Sequence, residues 1–138
     1  MKKSFTLIEL IFVIVALGIL VSIVLPKFSE ISKQSYISQA KSTYAAVQGG
    51  IQNLKTKNVL TGKNPYPASL DNGGIFGAVL SKPVKAGRNP GEWEALGNNT
   101  YKFHVGDSDY IIFTYNSTTG KFECDSSTST IPNICNNF

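Results

Sequence analysis

The chain has 138 residues, of which 42% are hydrophobic, and a formal net charge of +4. This length suffices for one modest hydrophobic core, and a single histidine with two cysteines leaves no Cys/His cluster for a structural metal. The sequence also lacks a glycine-rich phosphate loop and a nucleophile–base set, so it predicts neither an enzyme nor a metal or cofactor site.

The N-terminal segment is dominated by one apolar run. It extends over the 21 residues from Phe5 to Leu25, and Glu9 is its one charged residue. As an α-helix this run would be about 31 Å long, which matches the ~30 Å hydrocarbon core of a bilayer. Lys2 and Lys3 precede it, and the positive-inside rule keeps such an end in the cytoplasm. The sequence therefore predicts one membrane-spanning helix that delivers the rest of the chain to the far side.

Two simpler interpretations of this run compete. A secretory signal peptide has an apolar core of ~7–15 residues before a small-residue cleavage site, whereas this run is longer and residues 21–27 offer no such site. An ordinary single-pass anchor fits the length but does not explain Glu9. An Asp, Lys or Arg at the centre of a span costs roughly 2.5–3.5 kcal/mol, and a Glu near one end somewhat less. Such residues usually have a partner and a function.

The residues at the start of the run point to a family. A short basic leader, residues 1–4, precedes the sequence FTLIEL at positions 5–10, and the apolar run ends at Pro26. This arrangement resembles the N-terminus of the type IV pilin and type II secretion pseudopilin family. The resemblance implies that a prepilin peptidase cuts between Ser4 and Phe5 and that Phe5 is then N-methylated. Ser4 stands where the family usually has glycine; serine is also small, so this departure bears on the efficiency of cleavage.

The resemblance also gives Glu9 a role. Cleavage after Ser4 creates an α-amine at Phe5, whose ordinary pKa is ~7.7–8. That cation can neutralise the Glu9 carboxylate of a neighbouring subunit inside the membrane, where an unpaired carboxylate is costly. Residues 5–26, with Glu9 and Pro26, are therefore expected to form the assembly helix. The implied partners are further copies of the chain in a helical filament, related minor pilins or pseudopilins, the prepilin peptidase and the inner membrane.

After Pro26 the pattern becomes that of an amphipathic helix. Over residues 27–55 apolar side chains recur at spacings of three and four, which places them on one helical face: Ala40, Tyr44, Val47, Ile51 and Leu54. We expect this helix to end near residue 55, to fray or bend at Gly49-Gly50 and to pack its apolar face on a small sheet. Residues 56–99 hold four prolines and many glycines, and are predicted to form a variable loop in which Trp93 is a packing anchor.

Strand patterns begin at residue 100. Tyr101, Phe103 and Val105 alternate with Lys102 and His104, as in a half-buried strand. Residues 110–115 and 121–124 follow after short turns, so residues 100–124 are predicted to form an antiparallel β-meander. The predicted fold class is α+β and pilin-like: a long N-terminal α-helix, half transmembrane and half amphipathic, packs on a small antiparallel sheet.

The two cysteines are both near the C-terminus. Cys124 and Cys135 are predicted to lie outside the cytoplasm, where disulfides form and persist. Many type IV pilins have a C-terminal disulfide loop, whereas the major pseudopilins of type II secretion often lack one and use calcium. The sequence therefore favours a disulfide loop over residues 124–135.

The remaining charged residues have ordinary interpretations. His104 lies on the polar side of a strand and is expected to be a solvated surface histidine. Asp107 and Asp109 lack the glycine and distal glutamate of an EF-hand loop, so they are interpreted as turn residues. Between positions 27 and 63 six lysines stand against one glutamate, Glu30. A solvated helix face is the default interpretation of this stripe, and a nucleic acid is a secondary candidate whose binding would weaken with salt.

Together these patterns predict a non-enzymatic structural subunit of a type IV pilus-like filament, either a surface pilin or a type II secretion pseudopilin. It would begin as a single-pass precursor in the bacterial inner membrane, with a cytoplasmic N-terminus, and end in a periplasmic or cell-surface filament. Residues 1–4 would be the leader and residues 27–138 the globular head. The alternative is a single-pass anchored, extracytoplasmic binding domain that does not polymerise.

Overall fold

The computed structural model of the chain describes residues 3–138. It divides into two compact units, with the boundary between Ser35 and Tyr36. Helix α1, Leu7–Leu60, is 54 residues long and contains this boundary.

In the N-terminal unit the backbone is non-helical over residues 3–6 and helical from Leu7 onward. Met1 and Lys2 of the predicted leader lie outside the described residues. Pro26 is inside α1, and the helix is assigned without interruption on both sides of it. The large apolar side chains of this unit are exposed, with fractions between 43% at Val24 and 84% at Phe5. Only lipid or other protein chains could therefore bury these side chains.

In the C-terminal unit α1 presents one buried face. Ala40, Val47 and Ile51 are almost fully covered, and Tyr44 packs partly buried beside them. The helix continues to Leu60, beyond the expected end near residue 55. It stops where Gly62 adopts a φ of 69°, which allows the Lys63 amide to donate to the Asn58 carbonyl at 2.8 Å.

The sheet of this unit has four antiparallel strands in the order β1-β2-β3-β4. The strands are β1, Trp93–Gly97; β2, Thr100–His104; β3, Tyr110–Asn116; and β4, Lys121–Asp125. The last three match the predicted meander, whereas β1 lies within the segment that was expected to be loop. Asn98 and Asn99 both adopt left-handed φ values, 51° and 57°, and connect β1 to β2 in a tight turn.

Period-two alternation puts one face of this sheet into the core. The inward side chains include Trp93, Tyr101, Phe103, Phe113 and Phe122, each at most 1% exposed. Residues between α1 and β1 complete the core, because Phe76 contacts the rings of Trp93 and Tyr101 at 5.0 and 4.6 Å. Trp93 is thus buried as expected for an anchor, although it belongs to a strand. The long N-terminal helix with an antiparallel sheet confirms the predicted α+β, pilin-like fold class.

Candidate functional site

The start of α1 is a capping box formed by Thr6 and Glu9. The Glu9 amide donates to Thr6 Oγ1 at 3.3 Å, and the Thr6 amide donates back to Glu9 Oε2 at 2.8 Å. Thr6 Oγ1 also donates to the same Oε2 at 2.9 Å. These reciprocal bonds satisfy amides that an α-helix leaves without partners at its N-terminus. Glu9 is therefore fixed by its own helix end, through one carboxylate oxygen.

The predicted processing residues lie directly before this cap. Ser4 and Phe5 are in the exposed, non-helical residues that precede the helix. The capping box therefore holds the Glu9 side chain against Thr6, the residue that directly follows the Ser4–Phe5 bond. The role of Thr6 was not predicted from the sequence, although the pattern Thr6-x-x-Glu9 before an apolar run is a recognised helix-start signal.

The helix that follows is long and apolar enough to cross a membrane. A stretch of 18 residues of α1 near the N-terminus has a mean hydropathy of 3.0. The rest of the chain buries none of these residues. Length and composition support a transmembrane helix, as predicted. Within it, Ser22 Oγ donates to the Ile19 carbonyl at 2.8 Å, which satisfies that hydroxyl inside the helix.

A second candidate site is at the C-terminus, within the other unit. Cys124, in β4, and Cys135, in the short 3₁₀ helix Ile134–Asn137, form a disulfide with a Cα–Cα distance of 5.4 Å. The bond closes residues 124–135 into a loop, and Ile134 beside it is 3% exposed. The disulfide therefore ties the end of the chain to the core.

The structure corrects the interpretation of His104 as a solvated surface residue. Its side chain is only 13% exposed, and its Nε2 lies 3.0 Å from Glu94 Oε2. The other oxygen of Glu94 accepts a bond from Arg88 Nε at 2.8 Å. The hydrogen bond from His104 and the charge of Arg88 hold the pKa of Glu94 below its usual value. The sequence did not reveal this contact, because β1 was not predicted as the neighbour of β2.

A buried carboxylate lies close to this cluster. Glu92 is 5% exposed and contacts Lys85 Nζ at 2.6 Å. It also accepts bonds from the backbone amide and the side-chain amide of Asn89, both at 3.0 Å. The bonds from Lys85 and Asn89 lower the pKa of Glu92. This arrangement ties the segment before β1 together and explains how a charged group is tolerated inside the head.

The comparisons with known proteins give one informative match. Over 61 residues the chain is 41% identical to the type IV narrow pilus major component PilA5 of Thermus thermophilus. The match covers 43% of this chain and 53% of that protein, so the chain spans about half the length of the curated relative it matches. No family model and no solved structure matches the chain. The resemblance predicted from the N-terminal residues is confirmed: over part of its length this chain is similar to a type IV pilin, and its long apolar helix fits a pilin-like architecture.

Proposed function

We propose that this chain is a structural subunit of a type IV pilus-like filament. The observation that carries the proposal is its 41% identity to a major pilus component. The exposed apolar part of α1 supports it, because a helix that its own chain leaves uncovered requires lipid or other helices around it. In the precursor the helix would span the inner membrane, and in the filament it would pack against the same helix of neighbouring subunits.

The proposed assembly step begins with cleavage between Ser4 and Phe5 by a prepilin peptidase. Before cleavage Phe5 has a peptide nitrogen and offers no charge to a carboxylate. Cleavage creates an α-amine there, and N-methylation keeps it basic. Both bonds from Thr6 use Glu9 Oε2, so the capping box leaves Oε1 to accept the Phe5 ammonium of a neighbouring subunit. Processing would in this way permit assembly.

The test of processing is an intact mass with N-terminal fragmentation on protein from its native membrane. The expected species lacks Met1–Ser4 and carries one methyl group on Phe5. Mature protein that retains Met1 would show that the Ser4–Phe5 bond is not used. In that case the anchored binding domain that does not polymerise would replace the filament subunit as the better proposal.

The test of assembly is a pair of acid substitutions on α1. Glu9→Val should leave membrane insertion intact and strongly reduce filaments in a sheared-surface preparation, because the partner of the Phe5 amine is lost. Glu30→Gln is the matched control, since it also removes an acid from α1 but lies beyond the apolar run. Normal filaments from Glu9→Val would contradict the proposed pairing.

The kind of filament is the finer part of the proposal. A C-terminal disulfide favours a surface pilin over a type II secretion pseudopilin. Immunogold labelling of intact cells distinguishes them, because a surface pilus extends beyond the outer boundary of the cell and a pseudopilus does not.

A further inference from the structure

The C-terminal residues 126–138, here called the tail, cover the N-terminal end of strand β3, at Tyr110–Ile112. The Tyr110 amide donates to Thr130 Oγ1 at 2.7 Å, and the Thr130 amide donates to the Tyr110 carbonyl at 3.1 Å. The Ile112 amide donates to Ser129 Oγ at 2.9 Å. Strand β4 ends at Asp125, opposite Ile112, so the tail continues the coverage of β3 beyond the last β4 residue.

The tail also fills an aromatic cleft. The Phe138 ring packs edge-on against Tyr44 of α1 at 5.4 Å and against Phe113 of β3 at 5.1 Å. Ile134 is 3% exposed beside them, and Lys41 Nζ reaches Asn137 Oδ1 at 3.5 Å. Helix and sheet residues of the core therefore depend on the tail for part of their burial.

One covalent bond holds this arrangement together. The Cys124–Cys135 disulfide joins β4 to the short helix that carries Ile134, three residues before Phe138. Both cysteines are only partly buried. The tail has little regular structure besides this short helix. The disulfide restricts the conformational entropy of a detached tail, so without the bond only the tail's contacts would hold it on the head.

We propose that the tail is a redox-controlled latch on the head. While the disulfide is intact, the tail covers the end of β3 and the cleft between Tyr44 and Phe113; after reduction it detaches and exposes both. In the opening step a thiolate of a dithiol reductant attacks one cysteine sulfur, which forms a mixed disulfide and releases the other cysteine as a thiolate. The second thiol of the reductant then attacks the reductant sulfur of this mixed disulfide and releases the first cysteine, so that two protein thiols and one cyclic, oxidised reductant remain.

The latch has a consequence for chains that have not yet been oxidised. A sheet edge with unpaired amides and an exposed aromatic cleft both favour association with other chains. Disulfide formation would remove these two surfaces from the head in one step. This property belongs to residues 36–138 and does not depend on whether the chain enters a filament.

The test measures hydrogen exchange of single amides on the full chain in detergent micelles, by NMR, with and without dithiothreitol. The Tyr110 and Ile112 amides report on the tail directly, because they donate to Thr130 and Ser129. After reduction these two amides should exchange about tenfold faster or more, since local opening exposes them while the remaining structure persists. The β2 amides should keep their rates, and reoxidation should restore the Tyr110 and Ile112 rates.

Two variants separate the disulfide from the aromatic contact. The double variant Cys124→Ser/Cys135→Ser should behave as the reduced protein and should not respond to reductant. Phe138→Ala retains the disulfide, so its Tyr110 amide should remain slow until reductant is added. Slow exchange of Tyr110 and Ile112 in the reduced wild-type chain would overturn the latch. Loss of protection throughout β2 would overturn it too, because the bond would then hold the whole head.

Discussion

Glu9 is hydrogen-bonded to Thr6 at the start of its own helix, and the proposed assembly step would give it a second partner, the Phe5 amine of another subunit. Thr6 holds Oε2 through its amide and its hydroxyl, which fixes the carboxylate before any neighbouring subunit arrives. A preorganised acceptor binds an incoming cation at a lower entropic cost than a mobile side chain. At the scale of single residues, Thr6 therefore positions the acid to which the resemblance gives an assembly role.

Replacing Thr6 tests this positioning. Thr6→Val removes the hydroxyl at similar volume, and loss of a helix cap costs roughly 0.5–2 kcal/mol. We expect faster exchange of the Glu9 amide in micelles, because this amide donates to the Thr6 hydroxyl, and fewer filaments, with α1 intact elsewhere. Thr6→Ser, which keeps the hydroxyl, is the control and should retain the slow exchange. Equal exchange rates in all three proteins would show that the capping box does not hold the helix end.

Acid should destabilise the head through carboxylates whose pKa values the fold lowers. The bonds from Lys85 and Asn89 lower the pKa of Glu92, and the His104 contact lowers that of Glu94. An unfolded Glu titrates near pH ~4.3. The stabilisation is therefore complete above about pH 5 and is lost as the pH falls through the lower folded-state pKa values. The thermal midpoint should accordingly fall steadily as the pH is lowered below about 5.

The variant Glu92→Gln measures how much of this pH dependence is due to Glu92. It removes the titrating group at constant volume, so the midpoint should be lower than wild type near neutral pH and should change less with acid. Glu123→Gln is the matched control, because Glu123 is an exposed acid whose oxygen is 3.7 Å from Lys121 Nζ. Its profile should follow that of the wild-type chain. A Glu92→Gln profile parallel to wild type would mean that other groups carry the acid sensitivity.

At the scale of elements, two adjacent glycines of α1 have different surroundings. A Cβ on Gly49 would meet nothing within 4 Å, whereas a Cβ on Gly50 would overlap the backbone carbonyl of Val79. Gly50 thus lets the segment after the helix approach α1 closely, and Gly49 only weakens the helix. The expected fraying or bending at this pair was a conclusion from helix propensity alone, which cannot distinguish the two positions.

Alanine at each position should therefore change stability in opposite directions. Gly49→Ala should raise the free energy of unfolding by about 0.5–1 kcal/mol, because it adds helix propensity at an open site. Gly50→Ala should lower it by about 1–3 kcal/mol, because the helix and Val79 must separate. Thermal unfolding of the two variants beside wild type measures both. Stabilisation by Gly50→Ala would contradict the close approach.

The elements that the sequence predicted are those with local signals. The apolar run, the helical face at Ala40–Ile51 and the alternation in β2 each follow from the period of neighbouring residues. Strand β1 lacks such a signal: only Trp93 is well buried, and its strand conformation depends on pairing with Phe103 and bridging to Ala86. The contacts of His104, and those of the tail with β3 and α1, were missed for the same reason, because each joins segments that are distant in sequence; the disulfide of the tail was predicted.

At the scale of the whole molecule, the hydrophobic core of residues 3–138 belongs entirely to one unit. Its buried apolar residues run from Ala40 to Ile134, all within residues 36–138. The N-terminal unit adds exposed apolar residues, and among its described residues none is buried. Solubility and stability are therefore expected to separate along the chain: residues up to Ser35 decide where the protein is found, and residues from Tyr36 onward decide whether it folds.

A chain that begins at Ser32 tests this separation. It lacks the apolar run together with Phe28 and Ile31, so it should stay soluble without detergent. Because no core contact is lost, its thermal midpoint should lie within about 4–8 °C of the full chain in micelles, the shift that ~1 kcal/mol produces in a domain of this size. Phe113→Ala within the shortened chain should cost about 3–5 kcal/mol, which would show that the measured transition is that of the core. Aggregation, or a transition that Phe113→Ala leaves unchanged, would mean that the head needs the N-terminal helix to fold.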